Sequence, residues 1–297
     1  MQLGSLQDGV LELRVENLAA RIRDVNADLR EAKALGGVHT AKLVLRDNDT
    51  GWRELPGLFR GILRLLPVRA LHVDDAVHVV YSLVPPLKEP RGAYVARALQ
   101  RVDRPAKLEE LAIRSSLLSA TGFECLESFL TGIAVLDVSD NALEGDALAR
   151  LASWAGASAS LQGLRFAGNR PTARGIHALA NDGRFPALAR LDLSSCELGG
   201  ASARRLVEGT LPAVTELSLA RNALGDEGAS AIGESPWSDR LARLDVSACG
   251  IGETGAHALA NSPHLRSIGW LDLRGNALGE RGQKLLRDRF GDRVLVG

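Results

Sequence analysis

The chain has 297 residues, with 36 basic and 36 acidic side chains, and so carries no net charge at pH 7. A neutral chain has no bulk attraction for nucleic acid or for anionic lipid, and we expect neither as a partner. The apolar stretches fall short of the roughly 20 residues that a membrane helix needs. The amino-terminal segment also lacks the basic start and the apolar core of a signal peptide.

The first segment, residues 1–37, predicts a cap made of one strand and one helix. An alternating apolar run spans 10–15, and apolar side chains then recur at helical spacing between 18 and 29. Gly36 and Gly37 follow as a helix stop. Such a cap covers the end of a core that would otherwise be open to water.

Residues 38–107 contain two strand patterns that have diverged from those that follow. Leu43 belongs to the first and Leu71 to the second, and a helix with Pro56 near its start lies between them. The next strand leucine is Leu111, which makes this step 40 residues long. We assign the surplus to a proline-rich loop near 82–94, since inserted loops of this kind often lie on a binding face.

From residue 108 to residue 290 the spacing is regular. A strand leucine recurs every 25–28 residues, at Leu111, Leu136, Leu164, Leu191, Leu217, Leu244 and Leu271. A fixed period of this size predicts a solenoid, in which each repeat packs only against its neighbours. Counting back to Leu43 gives about nine to ten repeats. Residues 291–297 are predicted to form a carboxy-terminal cap.

The repeat follows the pattern L-x-x-L-x-L-x-x-N/C-x-L. Its N/C slot holds Asn141, Asn169, Cys196, Asn222, Cys249 and Asn276, and Ser116 takes that slot in the third strand pattern. The chain therefore resembles the leucine-rich repeat family, and the alternation of Asn and Cys is similar to its ribonuclease-inhibitor-like class. The resemblance implies an α/β solenoid, a horseshoe with a concave parallel β-sheet and convex helices. The Asn/Cys slot is then a structural ladder, because buried asparagine satisfies both main-chain N–H and C=O groups.

The cysteines predict a reducing compartment. Cys196 and Cys249 lie two repeats apart, which places them about 10 Å from each other at the usual spacing of parallel strands. A disulfide requires Cα atoms within about 7 Å, so we expect free thiols and a cytoplasmic location. Cys125 lies beside Phe123 in an apolar helix pattern and is predicted to be buried. The composition, rich in arginine, alanine, glycine and leucine, is typical of a bacterial chain.

A glycine motif in the regular repeats suggests nucleotide binding when it is taken alone. The run Gly250–Gly255 matches G-x-G-x-x-G between a strand and a helix, as in dinucleotide-binding proteins. The equivalent turns of the neighbouring repeats, at 223–228 and 277–282, share its final glycine. This recurrence favours a role in the repeat architecture over binding of a nucleotide.

A histidine and carboxylate motif in the second strand pattern suggests a metal. His72, Asp74, Asp75 and His78 could ligate a divalent ion, or they could form a solvated polar strand face, which we favour. The serines do not occur in a G-x-S-x-G motif. We therefore predict no catalytic residues, no metal and no small-molecule cofactor.

The strand positions that flank each leucine predict a binding surface, because strand residues alternate in direction and these positions point away from the core. The charged and aromatic side chains at these positions are Asp137, Arg165, Arg190, Asp192, Glu216, Arg243, Asp245, Trp270 and Asp272. Trp270 beside arginines has the composition of an interface hot spot. The alternative is that the charges pair across strands and only keep the face soluble.

The sequence therefore predicts a non-catalytic scaffold of a bacterial cytoplasm that recruits, inhibits or activates a partner protein, such as an enzyme, through its concave face. One alternative is a GTPase-activating or other enzyme-stimulating factor, since repeats of this class occur in activators of small GTPases. That function would use an arginine such as Arg46 or Arg221. Another alternative is the sensor arm of a multi-chain signalling or defence system.

Overall fold

The computed structural model describes residues 3–15, 27–34, 36–45, 54–75, 91–181 and 184–297. The chain divides into two compact units, Met1–Leu143 and Glu144–Gly297, each with its own strands and helices. No helix among the described residues combines the length and the apolar character that crossing a membrane requires.

The first unit contains six described strands, which are neighbours in chain order. They are β1 (Leu3–Gln7), β2 (Val10–Val15), β3 (Thr40–Leu45), β4 (Ala70–Asp75), β5 (Glu110–Arg114) and β6 (Val135–Asp137). Strands β2 to β6 are parallel, whereas β1 and β2 form an antiparallel hairpin. The sequence predicts one strand at this end and the structure has two. Asp8 and Gly9 both have positive φ, which permits the tight turn that returns the chain.

Helices of the first unit follow its strands. Residues 27–34 are helical (α1), and the others are α2 (Leu55–Leu65), α3 (Arg91–Gln100), α4 (Ala120–Glu124) and α5 (Glu127–Leu130). Pro56 lies in the first turn of α2, and Leu58 and Ile62 are buried as their spacing predicts. Residues 91–94 of the predicted loop near 82–94 instead form the first turn of α3, because Val95 and Leu99 extend a buried helical face. Residues 76–90 lie outside the described residues.

The second unit has the regular repeats. Its parallel strands are β8 (Gly163–Arg165), β10 (Arg190–Asp192), β11 (Glu216–Ser218), β12 (Arg243–Asp245), β13 (Trp270–Asp272) and β14 (Val294–Leu295). Two short strands, β7 (Glu144–Gly145) and β9 (Arg170–Pro171), form a separate pair. The helices are α6 (Ala147–Ser153), α7 (Ala155–Ser160), α8 (Ala173–Asn181), α9 (Gly200–Val207), α10 (Gly225–Glu234), α11 (Glu253–Ala260) and α12 (Gly279–Phe290).

The core is built from the strand leucines that the repeat pattern predicts. All nine, from Leu43 to Leu271, lie in strands and are at most 2% exposed. In the second unit the register places Leu191, Leu217, Leu244 and Leu271 directly beside one another. The predicted fold, a leucine-rich repeat solenoid with parallel strands alternating with helices, is confirmed.

Each regular repeat turns sharply four residues after its strand leucine. The residue at this position has a φ between 50° and 71° in every case: Ser115, Asp140, Gly168, Ser195, Arg221, Ala248 and Gly275. Only two of these seven are glycine, so the others bear a strain of about 1 kcal/mol each. Main-chain hydrogen bonds to the next repeat hold the turn, as Arg221 N–H donates to the Ser247 carbonyl (2.8 Å). The sequence pattern does not indicate this position.

Candidate functional site

Asparagine side chains join consecutive repeats behind the strands. The Asn222 Oδ1 accepts the main-chain N–H groups of Cys196 (2.9 Å) and Leu198 (3.0 Å) in the preceding repeat. Its Nδ2 donates to the carbonyls of Leu193 and Leu219, each at 2.8 Å. Nδ2 also donates to the Ala220 carbonyl at 3.3 Å. Asn222 is 4% exposed, so this one side chain satisfies five main-chain groups.

The other members of the ladder follow the same plan. Asn141 and Asn276 each accept two N–H groups from the preceding repeat and donate to carbonyls of both repeats. Asn169 donates to the Phe166 carbonyl at 2.9 Å. The two cysteines use their thiols instead, and the Sγ of Cys249 donates to the Leu219 carbonyl at 3.1 Å. A cysteine replaces only part of the bonding of an asparagine, since a thiol is a weak donor and acceptor.

We expect Cys125 alone to react rapidly with an aromatic disulfide reagent in the native protein at pH 8. Its exposure is intermediate, because it lies at the carboxy-terminal cap of α4, and the prediction that it is buried is wrong. Cys196 and Cys249 are buried, and burial raises the pKa of the Cys249 thiol from 9.0 to about 11. The reactive form is the thiolate, which burial disfavours.

The measurement counts modified thiols before and after addition of urea, with one and then three expected. A second rapid thiol in the native protein would contradict the buried ladder. The sign of the pH dependence also follows, because the neutral thiol is the form that the fold favours. The stabilising contribution of Cys249 is complete below about pH 9 and is lost as the pH rises toward 11.

Three of the predicted binding aspartates accept hydrogen bonds from their own turns. The Asp192 Oδ1 accepts both the N–H (2.9 Å) and the Oγ–H (2.7 Å) of Ser194. The same arrangement recurs between Asp137 and Ser139 and between Asp245 and Ser247. In β8 and β11, where the equivalent strand position is not aspartate, the residue two positions later is alanine. This D-x-S signal is present in the sequence but was not used in predicting the site.

Two of the predicted binding aspartates are buried. Asp137 is 3% exposed and Asp272 is 2% exposed. Burial alone would raise the pKa of Asp272, but hydrogen bonds from the Arg274 guanidinium and main chain lower it below its ordinary value. These carboxylates therefore act within the chain and offer little surface to a partner.

The open face of the first unit, formed by the strand side chains that point away from its core, carries a chain of ion pairs. Lys42 lies 3.6 Å from both Glu12 and Asp74, and Arg114 donates to Asp74 at 2.9 Å and 3.3 Å. Burial lowers the pKa of Arg114, but the hydrogen bonds and the charge of Asp74, followed by the charge of Asp137, raise it overall. The charges of this face therefore satisfy one another, as the alternative hypothesis predicts.

Two of the four candidate metal ligands, His72 and Asp74, belong to that paired face. His72 Nε2 lies 3.0 Å from Glu110, and Asp74 is bonded to Arg114. The Asp75 side chain and His78 lie outside the described residues, as does Arg46. Within the part of the chain that the structure describes, no group of three or more His, Cys, Asp or Glu residues could hold a metal ion.

The open face of the second unit differs in its charge pairing. Its central row, the position before each strand leucine, consists of Gly163, Arg190, Glu216, Arg243 and Trp270 in register. Its flanking row, the position after each leucine, consists of Arg165, Asp192, Ser218, Asp245 and Asp272. In the central row both arginines are exposed, and the Arg243 guanidinium lies 4.6 Å from the centre of the Trp270 ring.

Neither arginine of the central row is neutralised by a residue that the structure describes. Among the described residues, no carboxylate oxygen lies within 4.0 Å of the guanidinium of Arg190 or Arg243. Glu216 lies between them in the register without pairing to either. This row, unlike the face of the first unit, therefore presents charge that is available to another molecule.

The glycine motif at 250–255 has a packing role in the structure. The main-chain N–H groups of Gly252 and Gly255 both donate to Asp226 Oδ1 of the preceding repeat, at 2.7 Å and 2.9 Å. A carboxylate of the chain itself thus occupies the start of α11, where a bound phosphate would lie in a nucleotide-binding protein. Arg221, proposed for the stimulating function, is exposed and lies at the left-handed turn.

Comparisons with known proteins found similarity to a leucine-rich repeat family model and to a solved structure. A family model described as leucine-rich repeat matches residues 211–233, which include β11. One matching solved structure is a chain of the Drosophila Toll–Spatzle complex, with 14% sequence identity and a TM-score of 0.30. That alignment covers 90% of this chain and 46% of the other, so this chain spans less than half of its length. A search of curated proteins found no match.

The family match lies within the second unit, where the strand, turn and helix recur most regularly. The same unit contains the asparagines that join each repeat to the one before it. The family match, the recurring strand and helix, and the asparagine ladder together support a leucine-rich repeat protein.

Proposed function

We propose that the chain is a non-catalytic scaffold that binds a partner protein through the open face of its second unit. The observation that carries this proposal is the central row, where Arg190 and Arg243 are exposed and have no carboxylate of the described chain within ion-pair distance. Exposed arginine beside a half-buried tryptophan is the composition of a protein interface hot spot. The first unit offers no equivalent among its described residues, since its charges pair with one another.

The geometry suits binding with little loss of entropy. The row residues lie on adjacent parallel strands in a fixed register, and not on loops. The stacking of Arg243 on Trp270 restricts a side chain that would otherwise be highly mobile. A partner would therefore meet side chains that are already ordered, and less of the interaction energy would be spent on ordering them.

The proposal also assigns the repeats to the ribonuclease-inhibitor-like class and the protein to a reducing compartment. A helix in each regular repeat and the Asn/Cys alternation from 169 to 276 support the ribonuclease-inhibitor-like class. Two buried thiols that bond to main-chain carbonyls support a reducing compartment such as the bacterial cytoplasm. The partner would be an enzyme or a signalling protein that this scaffold recruits, inhibits or activates.

A photo-crosslinking experiment tests the position of the binding surface. The photoreactive residue p-benzoylphenylalanine would replace Ser218 on the open face or, as a matched control, Arg205 on the exposed side of α9. We expect a protein crosslinked from position 218 in cells of the source organism, absent from position 205 and identified by mass spectrometry. Crosslinking from 205 alone, or from neither position, would overturn the proposal.

A further inference from the structure

The most exposed charged side chains in the two rows of the second unit's open face are arginines, although these rows contain four acidic positions and three basic ones. In the flanking row, the Oδ1 atoms of Asp192 and Asp245 each accept two hydrogen bonds from serine. Asp272 is buried beneath the Arg274 guanidinium. The three aspartates are thus hydrogen-bonded within the chain, whereas the guanidinium groups of Arg190 and Arg243 have no carboxylate oxygen of a described residue within 4.0 Å.

The spacing of the two arginines limits what can neutralise them. Arg190 and Arg243 lie two strands apart, so their main chains are roughly 10 Å apart. Glu216 lies between them in the register. A continuous row of phosphates would place negative charge next to Glu216, which costs free energy through like-charge repulsion. Separate carboxylates, each placed on one arginine, avoid this repulsion.

We propose, on the basis of the function proposed above, that the partner contacts this face through an acidic segment with at least two carboxylates, one for Arg190 and one for Arg243. The argument for this occupant is charge complementarity. Each carboxylate accepts charge-assisted hydrogen bonds from a guanidinium that has no acidic partner among the described residues. Glu216 selects against partners with negative charge between those two positions.

The probe that tests this inference is a phage library of random peptides of about 16 residues, selected on the wild-type protein. We expect the enriched peptides to be rich in Asp and Glu. The double variant Arg190→Glu, Arg243→Glu should bind the best of them at least about tenfold more weakly. It should itself enrich basic peptides, which an unfolded variant would not do.

The matched control carries the same charge change on the helices. Arg205 in α9 and Arg281 in α12 are exposed, and the double variant Arg205→Glu, Arg281→Glu should bind the selected acidic peptide as the wild type does. An equal loss of binding in both variants would show a general effect of net charge and would overturn the inference.

Three further outcomes separate this inference from the function on which it rests. Enriched peptides that are neutral or basic, or no enrichment at all, would overturn the acidic segment while a crosslink from position 218 still supported the scaffold. If the crosslink from position 218 were absent as well, both the acidic segment and the proposed scaffold function would be overturned. A single-stranded DNA of about 20 nucleotides that binds as tightly as the best peptide, and depends on the same arginines, would replace the acidic segment with nucleic acid.

Discussion

Replacing Asn222 with alanine is expected to lower the free energy of unfolding by about 3–5 kcal/mol. The substitution removes five hydrogen bonds and leaves the N–H groups of Cys196 and Leu198 buried without their acceptor. Each buried main-chain group that loses its partner costs about 1–3 kcal/mol, and part of this cost is relieved by local adjustment. Urea unfolding followed by circular dichroism measures the loss, and hydrogen exchange at those two amides locates it.

The matched control for this prediction is Asn181→Ala. Asn181 is exposed at the end of α8, where its Nδ2 donates to the His177 carbonyl at 3.2 Å. We expect a change of less than about 0.5 kcal/mol, as is usual for a surface substitution. An Asn222→Ala protein within 1 kcal/mol of the wild type would show that the ladder contributes little to the stability.

Replacing Gly255 with alanine is expected to destabilise the fold by about 2 kcal/mol, although alanine is the better helix former. A Cβ atom at this position would lie 2.6 Å from Asp226 Oδ1 and 2.7 Å from Ile251 Cγ2. The Cβ of Ala229 in α10 would be 2.9 Å away. The added methyl group would force α10 and α11 apart and disturb the cap that Asp226 provides.

Gly57→Ala is the matched control, because it makes the same change in another helix. Gly57 lies in α2, and a Cβ atom there would have no described atom within 4 Å. We expect this variant to gain about 0.5–1 kcal/mol through helix propensity and a less flexible unfolded chain. Thermal unfolding of both variants gives the comparison. A stabilised Gly255→Ala protein would remove the packing explanation for the glycine motif.

Much of the fold could be predicted because the same strand pattern recurs many times along the sequence. The strand leucines from Leu43 to Leu271 recur at nearly equal steps, and each lies buried in a strand. Alternation along a strand then gave the direction of Arg190 and Arg243, which are exposed as predicted. The helix with Pro56 in its first turn follows from residue type alone, since proline lacks the N–H that later turns need.

The prediction was poorer wherever one isolated segment had to be interpreted without help from the repeats. The strand β1 was missed, because a single short hairpin strand carries little pattern of its own. Cys125 was expected to be buried beside Phe123, and it lies instead at the end of α4 with part of its surface exposed. In both cases the local sequence was compatible with more than one arrangement.

In the candidate site, too, some features were predictable from the sequence and others were not. Asp137, Asp192 and Asp245 occupy equivalent strand positions in the sequence, and the predicted site treats them as surface acids equal to the arginines. The structure turns each toward a serine two residues later and buries Asp137. Side-chain direction is a property of the strand, but the choice of hydrogen-bond partner depends on distances between atoms that the pattern does not contain.

The sequence by itself determined the repeat, its buried leucines and the side chains that flank them, because strand alternation is local and recurs along the chain. Only the tertiary structure decided which of those charges form ion pairs within the described chain and which can interact with a partner. Arg114 and Asp74 are 40 positions apart in the chain and 2.9 Å apart in space, whereas Arg190 has no such partner among the described residues. An ion pair depends on the separation of two groups in space, and that separation exists only once the repeats have packed.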